Sequence, residues 1–403
     1  MKTEIPTIKL NGFPNGMSNV NHAHSIPEGF CRDADNVDFD DAGTMSLRPG
    51  SVAAVYQGGA VDSLWTDGEV AYFRDGSRLM QLNANYSSAE IASGLEASRP
   101  ITFLKHGGSI WWSNGIQSGK IKNGVNEPWG VERSFNSLLS LNLLSWGTLF
   151  AGTYQVAVTY ATESGEEGGC GVGVTIEVPT DGGGIALSNI PQPSKAAFIN
   201  VYCTSHNGSE LYLHGTYPAG TTQAIVTDMA TDIALQTQHC NPMPPGTLMA
   251  GLGACIYVAA GKYVFRSRPL RYGQCKRLTD YWSFPDEVRV LAAVPDGIYI
   301  VTDTTTEFRT MPDENGLSQR QVVLPYGAPA MQPVSIPDTT GNPAAQKRVA
   351  WFSHHGWVIA GPSGQIIVPS EATVAVPSYE SGYGFLLEQG GMRRLVATFK
   401  EAQ

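Results

Sequence analysis

The chain has 403 residues, 42% of them hydrophobic and only 15% charged, which excludes a disordered chain and leaves enough apolar material for two or three cores. Its formal net charge of −10 argues against a sequence-independent grip on DNA or RNA, which needs clustered Lys and Arg. The 45 glycines and 25 prolines point to tight turns between short strands, and no long run has helical apolar spacing. The expected class is all-β.

The N-terminus, Met1-Lys2-Thr3-Glu4-Ile5-Pro6, lacks the apolar stretch of a secretion signal. No window holds the roughly 20 apolar residues of a membrane helix, so synthesis in a cytoplasm is expected. Residues 1–50 read as an extended N-terminal arm followed by one β-hairpin. The arm is rich in turn formers (Leu10-Asn11-Gly12-Phe13-Pro14-Asn15-Gly16) and has no alternation. The hairpin runs from Cys31 to Asp40, turns at Asp41-Ala42-Gly43, and returns through Thr44-Met45-Ser46-Leu47-Arg48-Pro49-Gly50.

Residues 51–146 and 244–403 share a repeated spacing of turns. Gly68 and Gly76 lie eight apart, as do Gly253 and Gly261, and Gly356 and Gly364; Gly108 and Gly115 lie seven apart. A fifth copy begins at Asp296-Gly297 and turns again at Asp303-Thr304. Each copy reads as strand, turn, strand, turn, strand, because glycine supplies the positive backbone angles of short hairpin turns. One meander cannot bury both its faces, and radial stacking of several solves that problem. The expectation is a small β-propeller of about five to six blades. A last fragment around residues 384–399 forms a hairpin that closes the ring by pairing near residues 50–57, or adds to a sixth blade.

Residues 147–243 break the pattern. Thr153-Tyr154-Gln155-Val156-Ala157-Val158-Thr159-Tyr160 alternates strictly, a polar turn follows at Glu163-Ser164-Gly165-Glu166-Glu167-Gly168-Gly169, and Val172, Val174, Ile176 and Val178 alternate next. With later strands near 184–187, 197–203, 211–214 and 222–228, this is the rhythm of an inserted fibronectin- or immunoglobulin-like β-sandwich.

The segment Ala34-Asp35-Asn36-Val37-Asp38-Phe39-Asp40 with Gly43-Thr44-Met45-Ser46-Leu47-Arg48-Pro49-Gly50 resembles the N-terminal signature of tail proteins of tailed bacteriophages. In that group an Asn-Val-Asp strand, a Gly turn and an Arg-Pro-Gly end lead into a propeller. The insert resembles the fibronectin-type module common in the same virion proteins, although the family's usual Arg after the Tyr of Val201-Tyr202-Cys203-Thr204 is Cys203 here. The resemblance, to hub, nozzle or packaged-DNA stabilisation proteins, implies a structural virion protein. Its expected partners are other tail proteins and copies of itself, with contact to a host-surface glycan as a further expectation.

No residue is assigned a catalytic, cofactor or metal role. His22-Ala23-His24 has no third ligand at motif spacing, and Asp33, Asp35, Asp38, Asp40 and Asp41 do not match a calcium loop. Glu163, Glu166 and Glu167 read as a solvated turn. Of His354-His355, one ring is expected to pack and the other to be solvated. Trp65, Trp111, Trp112, Trp351 and Trp357 fall in blade strands and read as stacking. The basic clusters Arg266, Arg268, Arg271 and Arg393, Arg394 read as solvated faces. Cys31, Cys170, Cys203, Cys240, Cys255 and Cys275 never form a CxxC pair and read as reduced, buried thiols. The expectation is therefore a non-enzymatic tail component. The rivals are a carbohydrate-binding propeller and a glycan-cleaving enzyme with carboxylates drawn from different blades.

Overall fold

The computed structural model describes residues 12–34, 36–40, 42–48, 59, 61–66, 68–313, 317–337, 347–377, 379–389 and 392–401. Among them the only helical elements are two 3-10 turns, Ala23–Ser25 and Asn136–Leu138; everything else regular is β. The chain divides into two compact units, Gly59–Pro285 and the pair Met1–Gly58 with Asp286–Gln403.

At the N-terminus β1 (Val37–Phe39) and β2 (Met45–Leu47) pair as the expected hairpin. The described arm is not extended, which corrects the sequence reading. Ser18 N donates to Cys31 O and Cys31 N to Gly16 O, so residues 12–31 loop back. Asn19 then clasps the chain's own residues 373–375. Its backbone N–H donates to Thr373 O (3.0 Å), its Nδ2 to Ala375 O (2.9 Å), and its Oδ1 accepts from Ala375 N. An amide side chain carries a donor and an acceptor in a peptide-like arrangement, which lets one Asn replace a strand partner. Residues 1–11 lie outside the described residues.

In the unit 59–285, β3 (Val61–Thr66), β4 (Ala71–Asp75), β5 (Arg78–Leu82) and β6 (Ser88–Ala92) form a four-stranded antiparallel meander. A second follows from β7 (Thr102–His106), β8 (Ser109–Ser113), β9 (Ser118–Lys122) and β10 (Val125–Pro128). Its β7–β8 turn has Gly107 and Gly108 at φ +57° and +77°, the two left-handed residues of a type I′ turn. Tyr72, Leu79, Phe103, Ile110 and Trp112 fill the core shared by these meanders. Trp111, next to Trp112 on β8, faces the other way into a core with Met249, Ile256 and Val258. Successive side chains of a strand point to opposite faces, so the Trp doublet marks a strand buried on both sides.

Between the second and third meanders lie seven strands in two sheets: β11 (Ser140–Leu149), β12 (Gly152–Ala161), β13 (Val174–Val178), β14 (Gly183–Ser188), β15 (Phe198–Thr204), β16 (Leu211–Pro218) and β17 (Ala224–Val226). The sheet orders are β11-β14-β17 and β13-β12-β15-β16. Tyr154, Val156 and Val201 from one sheet and Leu149, Ile185 and Val226 from the other share one core, the signature of a sandwich. Tyr154 OH donates to Phe150 O at 2.8 Å and pins the turn into β12. The first strand begins at Ser140, seven residues ahead of the expected boundary at 147.

The third meander takes β19 (Leu248–Leu252), β20 (Cys255–Ala260), β21 (Tyr263–Arg266) and β23 (Tyr281–Ser283), flanked by a short pair of β18 (Asn241–Pro242) with β22 (Gln274–Cys275).

In the other unit, β24 (Val290–Val294), β25 (Gly297–Val301), β26 (Thr306–Thr310) and β27 (Arg320–Leu324) form the fourth meander. After β28 (Ala330–Met331), the strands β29 (Val334–Ile336), β30 (Arg348–Ser353), β31 (Gly356–Ala360) and β32 (Ile366–Ile367) form the fifth. Tyr299, Phe308, Trp351 and Val358 fill their shared core. The chain closes with β33 (Tyr379–Gln389) and β34 (Met392–Glu401), and β28 pairs parallel to β33. A pairing of the last strand with residues 50–57 lies outside the described residues. Each repeat has four strands, one more than the turn spacing predicts.

Candidate functional site

Lys120 lies in the middle of β9, its side chain only 10% exposed. A buried ammonium must be compensated. Glu127, its cross-strand partner on β10, supplies Oε2 at 3.1 Å, and Glu166 supplies a second Oε2 at 3.1 Å. The Trp111 ring lies 5.7 Å from Nζ. Burial alone would lower the pKa of Lys120, but Glu166 and Glu127 outweigh it and hold the ammonium above its ordinary value.

Glu166 comes from the hairpin that joins β12 to β13. Gly165 N donates to Thr162 O, Thr162 N to Glu166 O and Gly168 N to Tyr160 O, which closes a tight turn. Its three carboxylates were expected to be solvated; Glu163 is exposed, whereas Glu166 and Glu167 are half-buried. Glu167 points inward and its Oε1 accepts from Asn200 Nδ2 (2.9 Å), Tyr202 OH (2.7 Å) and Thr159 Oγ1. The acidic cluster is thus split three ways: one residue in water, one on Lys120 and one in the sandwich. Two glycines seat the surroundings by close approach. A Cβ on Gly273 would lie 2.3 Å from Glu166 Oε1, and one on Gly107 would lie 2.4 Å from the Tyr272 ring.

Two clefts share Lys120, Ser164 and Glu166 as a wall. One, of about 620 Å³, is lined by Glu127, Glu132, Glu163 and Lys195. The other, of about 580 Å³, is lined by Lys122, Arg271, Tyr272 and Gln274. Glu132 also accepts from Ser194 Oγ and Lys195 N, which ties the sandwich to the strand-free segment after β10.

The other sequence candidates are dispersed. His22 and His24 are exposed, and among the described residues no group of His, Cys, Asp and Glu is arranged to hold a metal ion. Asp33 is exposed; Asp35 and Asp41 lie outside the described residues. Asp38 carries ion pairs to Arg48 (3.1 Å) and Arg394 (3.3 Å). Asp40 caps its turn, and the Thr44 N–H holds its carboxyl below the usual range. Both rings of His354-His355 are half-buried, against expectation: the His355 ring lies tilted against Tyr326 with centroids 4.3 Å apart, and burial lowers the pKa of His354. Arg266 and Arg268 flank the buried Asp280 rather than forming a solvated face, and Arg393 pairs with Glu388. Trp65 stacks on Tyr72 and Phe103, and Trp357 packs edge-on against Phe352. All six cysteines are free and buried. Burial pushes Cys170 up to about 11 and Cys203 and Cys275 up to about 12. Sequence reasoning missed Lys120, which stands alone between Gly119 and Ile121 and carries no motif.

No protein-family model matches the chain, and no curated protein matches it. Among solved structures, the neighbours are β-propellers of low identity. The Pan2 WD40 domain of Neurospora crassa is 9% identical, with 78% of this chain and 79% of that one covered and a TM-score of 0.32. Apo AztD from Citrobacter koseri is 8% identical over 91% and 83%, at 0.33. Streptogramin B lyase is 8% identical over 84% and 93%, at 0.31. Such likeness transfers no site, ligand or activity to this chain.

Proposed function

We propose that the chain is a non-enzymatic structural component of a bacteriophage tail, a hub, nozzle or tail-tip protein that binds neighbouring virion proteins and copies of itself. In this reading the five meanders are blades of a small β-propeller, and the seven-stranded sandwich is its fibronectin-like insert. The observation that supports it most directly is the hairpin β1–β2. The residues that carry the resemblance to tail proteins, Asn36-Val37-Asp38 and Arg48, form one set of interactions. Arg48 N donates to Asn36 O, and Asp38 bridges Arg48 to Arg394 on β34. Those residues thereby anchor the start of the chain to its end.

Immunogold electron microscopy with antibodies raised against residues 59–285 tests the proposal. Label at a fixed position on the tails of particles that carry this protein is expected. Particles that are complete and infectious without it would overturn the reading.

A further inference from the structure

We propose that the cleft bounded by Lys122, Arg271, Tyr272 and Gln274 binds an acidic saccharide, a hydroxylated ligand that carries one or two negative charges. The cleft has the volume of an ordinary small-ligand pocket. Three features of its lining define the ligand.

Charge comes first. The carboxylates on the wall are already engaged: Glu166 by Lys120, and Glu167 by Thr159, Asn200 and Tyr202. Lys122 and Arg271 are exposed, and neither makes an ion pair among the described residues. A chain of net charge −10 thus presents two uncompensated cations in one concavity. A guanidinium matches the paired oxygens of a carboxylate, phosphate or sulfate. Two cations match one or two charges; they do not make the long basic track that a nucleic acid requires.

The second feature is an unused acceptor. Gln274 is 1% exposed, and its Nε2 donates to Val131 O at 3.1 Å. Its Oε1 is buried with no hydrogen-bond partner among the described residues. A buried amide oxygen left in that state is costly unless a donor arrives. That oxygen is sealed from solvent as the wall stands, so a donor meets it only after a small shift of the Gln274 side chain; an anion has no donor to give, and the ligand that gains from the shift carries hydroxyl or N–H groups beside its charge. The third feature is an apolar rim. Tyr272 is half-buried, held edge-on by His106 and Trp111, and Leu270 is 75% exposed next to it. A ring with an apolar face, hydroxyls at its edge and one acidic substituent satisfies all three.

The inference stands on this cleft alone, and its failure would leave the virion reading untouched. The test is to titrate the full chain with oligosaccharides bearing carboxylate, phosphate or sulfate groups, their neutral counterparts, and inorganic phosphate, by isothermal calorimetry. At least one acidic oligosaccharide is expected to bind about tenfold or more tighter than its neutral counterpart and than inorganic phosphate. Arg271→Gln and Lys122→Gln should each weaken it about tenfold with unchanged melting temperature, since both side chains are exposed. Gln274→Met should weaken the oligosaccharide but not inorganic phosphate. Equal binding of acidic and neutral sugars, phosphate binding as tightly as any sugar, or variants that bind like the parent would overturn the proposal.

Discussion

Glu167 shows how much one half-buried carboxylate organises. It holds three donors, from Thr159, Asn200 and Tyr202, that are themselves 0%, 9% and 2% exposed. Glu167→Ala strands all three, and an orphaned buried donor is expensive, so stability should fall by about 2–4 kcal/mol in urea titration. A loss under about 0.5 kcal/mol would mean that water reaches these groups. Alkali should act on the same scale. Burial pushes Cys170 up to about 11 and Cys203 and Cys275 up to about 12, and Tyr160 and Tyr257 also up to about 12. These groups keep protons in the folded chain that the unfolded chain gives up from near pH 9 for thiols and 10 for phenols. Their contribution is complete below those values and lost as pH rises through the folded ones. Lys120, also raised, has the same sign. The melting temperature should therefore hold to about pH 8.5 and fall steadily by pH 11; a flat profile would contradict the burial of these side chains. From the sequence, the buried state of the thiols was legible because their spacing fits no metal or disulfide pattern. The split of Glu163, Glu166 and Glu167 was not, because their partners lie up to 46 residues away.

At the scale of elements, turns were legible and outer strands were not. Glycine marks the positions where φ is positive, so the inner strands between glycines could be read directly. The outer strands, Ser88–Ala92, Val125–Pro128 and Arg320–Leu324, are exposed along much of their length and carry no alternation to read. The first sandwich strand was missed for a related reason: its register against β14 shifts between Leu144 and Leu149, and the irregularity erases the period of two. The Trp doublet on β8 allows a test of the layering. Trp111→Ala should disturb the core with Met249 and Ile256, and Trp112→Ala the core with Tyr72 and Phe103. Each should cost about 3–5 kcal/mol. The two effects should add, since the rings sit in separate cores. A coupling above about 1 kcal/mol in the double variant would mean that the cores are one. Excision of the sandwich is best made outside 140–226, since a cut at 147 falls within β11.

For the whole molecule, the division into units leads to an asymmetric expectation. Residues 59–285 are continuous and contain three meanders, the sandwich and the cores between them. Produced alone, they should melt cooperatively with native-like near-ultraviolet circular dichroism. A molten, dye-binding state would show that the remaining segments are needed for that core. The other unit has no such option, being assembled from the two ends of the chain. All-β character was legible from composition and turns, and the five meanders from their spacing. A pairing of the last hairpin with an early strand was expected near residues 50–57, outside the described residues; the contacts seen, Asn19 with Ala375 and Asp38 with Arg394, were hidden because nothing in a sequence labels partners so far apart.

That pairing sets a timetable during synthesis. Asn19 and Ala375, which clasp one another through reciprocal amide bonds, are separated by 356 positions. At about 5–20 residues per second, a ribosome needs roughly 20–70 s to bring the second into existence after the first. In that interval residues 59–285 emerge complete and can condense unaided. The hairpin β1–β2 waits with Asp38 held by Arg48 alone until Arg394 appears. Throughout that wait it stays on offer to chaperones and proteases, and the emergence of β34 is the event that retires it from their reach.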